Sequence, residues 1–157
     1  MITTILPIER QHYEAMYELY KLVEPWDKPH YYDKFCTQMK DRQGFTVWKG
    51  QDNLIGYCTF SDFMPGQNII AHLSFHPKHK SLTFKMLRTF FHYAFVDLEV
   101  PRITSYSIDK LTDTAGLFLK RLGFIEEGVL RQAGRFSHGI YDIRLWAMLK
   151  EECKWIK

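Results

Sequence analysis

Glycine is missing from the whole stretch between Gly66 and Gly116. That absence excludes the usual glycine-rich phosphate loops, which need glycine for close backbone approach. Cysteine is scarce as well: Cys36, Cys58 and Cys153 are odd in number, far apart, and without a C-x-x-C pair. They fit buried or inert thiols in a reducing cytosol better than a disulfide framework. No apolar run approaches the ~18 residues that a membrane span needs. The segment Met1 to Gln11 has no basic start followed by an apolar stretch, so no signal peptide is expected and the setting is read as cytoplasmic. Charge of one sign is lacking too. A net charge of +3 over 157 residues is too diffuse to argue for nucleic acid.

Apolar residues are plentiful, at 46% with 16% aromatic, which is enough to bury a core in a single domain spanning 1–157. The organising stretch is Asn68 to Phe95. It reads as a β-branched strand (Ile69 to Phe75), a short basic turn (His76 to Lys80) and a helix starting near Ser81. Strand, turn, helix aims helix N-terminal N–H groups at an anion. The turn carries Lys78, His79 and Lys80, with Lys85 and Arg88 on the helix behind it, so a phosphorylated cofactor is one reading of the cluster. A solvated basic surface is the plainer one. Nucleic acid is a weaker third, because aromatics do not interleave with the cations as stacking platforms would.

The remaining elements follow from periodicity. Thr3 to Ile8 is a short strand, and Glu9 to Val23 an amphipathic helix with Tyr13, Met16, Tyr17, Tyr20 and Val23 on one stripe. Pro29 to Asp41 is a second helix. Phe45 to Trp48 and Leu54 to Phe60 form a hairpin, and Met64 to Asn68 turns into the central strand, giving three antiparallel strands in a row. Arg102 to Ile108 alternates as a half-buried strand that should pair in parallel with the central one. Asp113 caps a helix ended by Gly123, and Phe124 to Leu130 and Tyr141 to Leu149 are the last strands. The order is β-α-α-β-β-β-α-β-α-β-β: an α/β protein, an α+β mixed sheet flanked by helices. His72, His76 and His79 make an H-x3-H-x2-H run, yet His72 and His76 would lie about 13 Å apart on one strand face. That is too far for one zinc with ligands at about 2 Å, so no metal is expected.

Leu119-Lys-Arg-Leu-Gly-Phe124, Glu127-Gly-Val-Leu-Arg131 and Gly139-Ile-Tyr-Asp142, running into the apolar strand that ends at Leu149, follow an LxxLGF, EGxLR, G-x-x-D pattern. With the element order, and with His92 to Phe95 and Arg102-Ile103 in place, the chain resembles the GNAT family of N-acetyltransferases, most closely its RimJ/RimL branch. The resemblance implies an acetyl-CoA-dependent N-acetyltransferase acting on an amine: a protein N-terminus, a lysine or a small amine. It also admits a homodimer. Two positions depart from the family. Its Q/R-x-x-G-x-G/A pyrophosphate loop is replaced by Lys78 to Thr83, and its N-x-x-S falls on Thr112 and Ala115, where the serine proposed to protonate the departing thiolate is absent. A catalytically inert GNAT-fold partner is therefore the alternative.

In that family the central strand splays from its parallel neighbour and its exposed backbone binds the pantetheine arm. Carried onto this chain, Leu73 and Phe75 offer backbone contacts, the amides of Lys78, His79, Lys80, Ser81, Leu82 and Thr83 face the pyrophosphate, and Thr112 and Phe118 complete the cofactor site. A base must take the amine proton, because ammonium is not a nucleophile. His72 is the candidate, with an ordinary pKa near working pH; equally, it reads as a half-buried strand residue bonded to a neighbour. Tyr106 or Tyr141 lines the acceptor groove or packs in the core, and Asp142 is read as orienting the last hairpin.

Overall fold

The computed structural model describes residues 3–23, 31–79, 84–109, 114–136 and 139–157. Seven strands form one sheet in the order β1-β2-β3-β4-β5-β7-β6. They are β1 Thr3–Pro7, β2 Gln43–Lys49, β3 Asn53–Met64, β4 Asn68–Phe75, β5 Arg102–Asp109, β6 Ile125–Phe136 and β7 Gly139–Leu149. The helices are α1 Tyr13–Val23, α2 Tyr32–Lys40, α3 Phe84–His92 and α4 Thr114–Leu122. All pairings are antiparallel except β4 with β5. The expected element order and the run of antiparallel strands are both present.

Alternation along β4 sorts the molecule into two layers. Ile69, Ala71, Leu73 and Phe75 join the larger core beneath α3 and α4, which holds Met86, Phe90, Phe91, Leu119 and Leu122. On the other face α1 and α2 contribute Met16, Leu19, Phe35 and Met39 over Leu54 and Tyr57 of β3. Burying one such side chain is worth ~1.5–3 kcal/mol, so both helix pairs are held by the sheet rather than by propensity. α4 ends as its sequence predicts. Gly123 at φ +107° lets its own N–H reach Lys120 O and the Phe124 N–H reach Leu119 O, both at 3.1 Å. This is the Schellman pattern that glycine favours.

Two strands run well past the ends that the sequence reading gave them, each for a local reason. β3 continues past Phe60 to Met64 through a bulge after Ser61, with Asp62 at φ +51°. β6 continues past Leu130 to Phe136 through a second bulge, with Gln132 at φ +54°. Each extra residue is absorbed without breaking the ladder, a device that hydrophobic alternation does not reveal. After His92, α3 runs on as the sequence reading has it, to Phe95 and beyond, but as a π-turn over Tyr93–Asp97, closed by Leu98 N–H on Tyr93 O at 2.9 Å. Lys80 to Thr83, Thr112 and Asp113 lie outside the described residues.

Candidate functional site

The parallel ladder between β4 and β5 lasts only two pairs, Ile69 with Ile103 and Ile70 with Thr104. Beyond it Ser105 Oγ donates to Ala71 O at 2.9 Å, and the strands then part. In a strand, alternate residues turn their N–H and C=O to opposite neighbours. His76 N–H reaches Ile55 O of the β3 side, while Ala71 O faces β5, so Leu73 and Phe75 turn their backbone groups toward the opening. Among the described residues, neither has a ladder partner across it. These are the two residues singled out from the sequence for backbone contacts.

The opening is walled by aromatic rings on the α3 and α4 side. Phe75 lies 6.2 Å from Phe90 and 6.1 Å from Phe118, so Phe118 does come to the mouth of the parted strands. Gly56 makes room for that arrangement: a Cβ there would sit 2.2 Å from Phe75 Cδ1.

On the opposite face, the side chains of Asn68, Ile70, His72 and Ser74 share a layer with Arg102, Thr104, Tyr106 and Ile108. Thr104 Oγ1 donates to Asn68 Oδ1 at 2.8 Å within that layer. His72 and Tyr106 each lie two residues past the last ladder pair, on either side of the opening. Tyr106 is 41% exposed and outside the core. His72 is more enclosed. Its Nε2 lies 3.0 Å from Ser61 Oγ, and that hydroxyl donates to Asp62 Oδ2 at 2.8 Å. Burial first, then the nearby Arg42 guanidinium, push the imidazole down to about 4, against an upward pull from Asp62. The unperturbed value near working pH expected from the sequence does not hold, because the strand face is covered there.

The basic turn is closed on itself at its start. Lys78 N–H donates to His76 Nδ1 at 3.1 Å and His79 N–H to His76 O at 2.9 Å. Both amides expected to face a pyrophosphate are thus used within the turn, since an unpaired amide there gains by capping the nearest acceptor. The remaining expected contacts, Lys80, Ser81, Leu82, Thr83 and Thr112, lie outside the described residues. Lys85 and Arg88, with Thr89, His92, Tyr93 and Phe45, line a groove of about 340 Å³ between α3 and β2. Among the described residues no three of His, Cys, Asp and Glu come together to hold a metal.

No protein-family model matches the sequence, and no curated protein matches it. Solved structures do. A mutant form of the spermidine/spermine N-acetyltransferase SpeG from Vibrio cholerae superposes with a TM-score of 0.75 at 17% identity, covering 95% of this chain and 94% of that one. A SpeG chimera with hSSAT gives 0.76 at 19% identity, covering 98% of both chains. SpeG in complex with manganese ions gives 0.71 at 18% identity, covering 94% and 92%. The chain has the GNAT fold. At these identities the likeness shows the architecture and nothing finer, and the RimJ/RimL branch gains no support from it.

Within the GNAT fold the family-pattern residues take structural positions. Asp142 Oδ1 accepts the Gln132 N–H at 2.7 Å, pinning the bulge of the last hairpin as the sequence suggested. Glu127 of the EGxLR run binds Arg102, with Nη1 donating to Oε1 at 2.9 Å, and so ties β6 to the start of β5. Tyr141 packs its ring 6.0 Å from Phe136 in that hairpin. Sequence reasoning missed Ser61, Asp62 and Arg42. The first two sit in a bulge, and Arg42 in the turn before β2, where no periodicity marks them.

Proposed function

We propose that this protein is an acetyl-CoA-dependent N-acetyltransferase. The observation that carries the reading is the parting of β4 and β5 after Ile70 and Thr104, which leaves the Leu73 and Phe75 backbone facing a gap between parallel strands. An extended pantetheine arm could complete that sheet edge as an added strand. The fold shared with N-acetyltransferases adds to the case. Leu73 and Phe75 are assigned to the arm and Phe118 to its flank. The diphosphate falls to Lys78, His79, Lys80, Ser81, Leu82 and Thr83, with Thr112 beside them. Since the Lys78 and His79 amides are spent within the turn, those two residues act through their side chains.

The chemistry needs a thioester carbonyl beside a neutral amine. His72 is assigned as the proton acceptor and Tyr106 to the other lip of the opening, as a hydroxyl near the reacting atoms. Spermidine is the first amine to test, because the structural neighbours are named for it. Peptide N-termini come second, on the RimJ/RimL-like motifs, and lysine third. Calorimetry with acetyl-CoA and desulfo-CoA should give micromolar binding, and no heat at millimolar ligand would end the proposal. A thiol-release assay over the three amines then identifies the acceptor.

A second reading is a GNAT-fold protein that binds partners without catalysis. Its specific support is Ala115, exposed on the first turn of α4 where a serine donor is absent, together with the closed amides of Lys78 and His79. Steady CoA release with any amine rejects it.

A further inference from the structure

The geometry points to Ser61 and Asp62, carried on the β3 bulge, as positioning residues that fix the tautomer of His72 so that Nδ1 accepts the proton of the attacking amine. The inference rests on the transferase reading and deepens it. Ser61 owns one hydroxyl proton. The Ser61 Oγ to Asp62 Oδ2 bond is the shorter, at 2.8 Å, and ends on a carboxylate, so the proton goes there. Toward His72, at 3.0 Å, Oγ is left only as an acceptor. His72 must therefore carry its proton on Nε2, which makes Nδ1 the ring's one free lone pair.

The bulge is what brings the three groups together. Ser61 pairs with Ile70 in the ladder, and the irregularity begins at the next residue, placing the Asp62 carboxylate beside the Ser61 hydroxyl. A regular strand would turn residue 62 to the other face. Aspartate is among the few side chains that tolerate a positive φ, here +51°. Arg42 and Asp62 are the charged groups that act on the imidazole, in opposite directions. When the amine nitrogen attacks the thioester carbon, the C–N bond forms, the C–S bond breaks, and CoA leaves as the thiolate. The nitrogen's proton passes to Nδ1, and from there to solvent or the thiolate. The charge that arises on the ring is met through Ser61 by Asp62. A weakly basic imidazole suits this step, because the attacking nitrogen, once bonded to the carbonyl carbon, is far more acidic than a free ammonium.

The test combines ¹⁵N NMR of His72 with steady-state kinetics on the full chain, using acetyl-CoA and spermidine, peptide and lysine acceptors. The wild type should show a neutral ring with the proton on Nε2 at pH 7. Ser61→Ala should lose that preference and at least about tenfold in kcat, with acetyl-CoA affinity by calorimetry unchanged, while Ser61→Thr restores both. Asp62→Asn should shift the His72 titration further down. A wild-type ring protonated on Nδ1 overturns the inference, as does a Ser61→Ala kcat within twofold of wild type while acetyl-CoA still binds. Absence of acetyl-CoA binding to the wild type overturns the transferase reading, and this inference falls with it.

Discussion

At the scale of single residues, Gly56 and His72 make the sharpest predictions. Gly56 is needed for space and not for conformation, since a Cβ there would lie 2.2 Å from Cδ1 and 2.4 Å from Cε1 of Phe75. Gly56→Ala must drive that ring toward Phe118 and the parted strands. A loss of about 1–3 kcal/mol is expected, with weaker acetyl-CoA binding, read by thermal melting and calorimetry. An unchanged melting temperature would mean that the ring has another place to go. His72 sets a pH dependence whose sign follows from linkage. Its folded pKa of about 4 lies below the ordinary 6.5, so between those values the unfolded chain binds a proton that the folded chain does not. Stability is then complete above about pH 6.5 and falls as pH drops toward 4, by about 3 kcal/mol in all. His72→Gln should flatten urea-melt stability across that window, and a slope equal to wild type would refute the assignment.

At the scale of elements, the site was legible where a rule of alternation applied and hidden where the chain breaks one. β4 was readable because Ile69 to Phe75 is a β-branched, apolar run, and the parity of any strand puts the Leu73 and Phe75 backbone groups on one side. The Schellman end of α4 was readable because Gly123 has few other uses. The bulge that delivers Ser61 and Asp62 was not. An extra residue in a strand leaves composition and period almost unchanged, and only a partner strand defines it. The position of β7 between β5 and β6 was equally invisible, since a hairpin can join a sheet by either of its edges. The same parity predicts hydrogen exchange. Amides of His72 and Ser74, turned to β3, should exchange slowly, and those of Leu73 and Phe75 faster. Acetyl-CoA should slow the second pair selectively. Equal protection of all four in the free protein would show the strands closed in solution.

At the scale of the whole molecule, the sheet is two blades sharing a short seam. One blade is β1 to β4 and the other β5, β7 and β6, and only two ladder pairs join them. The seam is reinforced by two side chains, Thr104 on Asn68 and Ser105 on the Ala71 carbonyl, and by the core beneath α3 and α4 that spans both blades. Ser105 is 4% exposed, so its bond to Ala71 O has no water to replace it. Ser105→Ala leaves that carbonyl unpaired and should cost about 1–3 kcal/mol, seen as a lower urea midpoint with an unchanged slope. A cofactor lying along both blades would add the same binding free energy to either protein, because ligand that binds only the folded state stabilises by mass action. Wild type and variant should therefore gain equally from saturating acetyl-CoA if the seam merely fastens the blades. A smaller gain in the variant would mean that the Ser105 bond also sets the width of the gap that the pantetheine arm must fill.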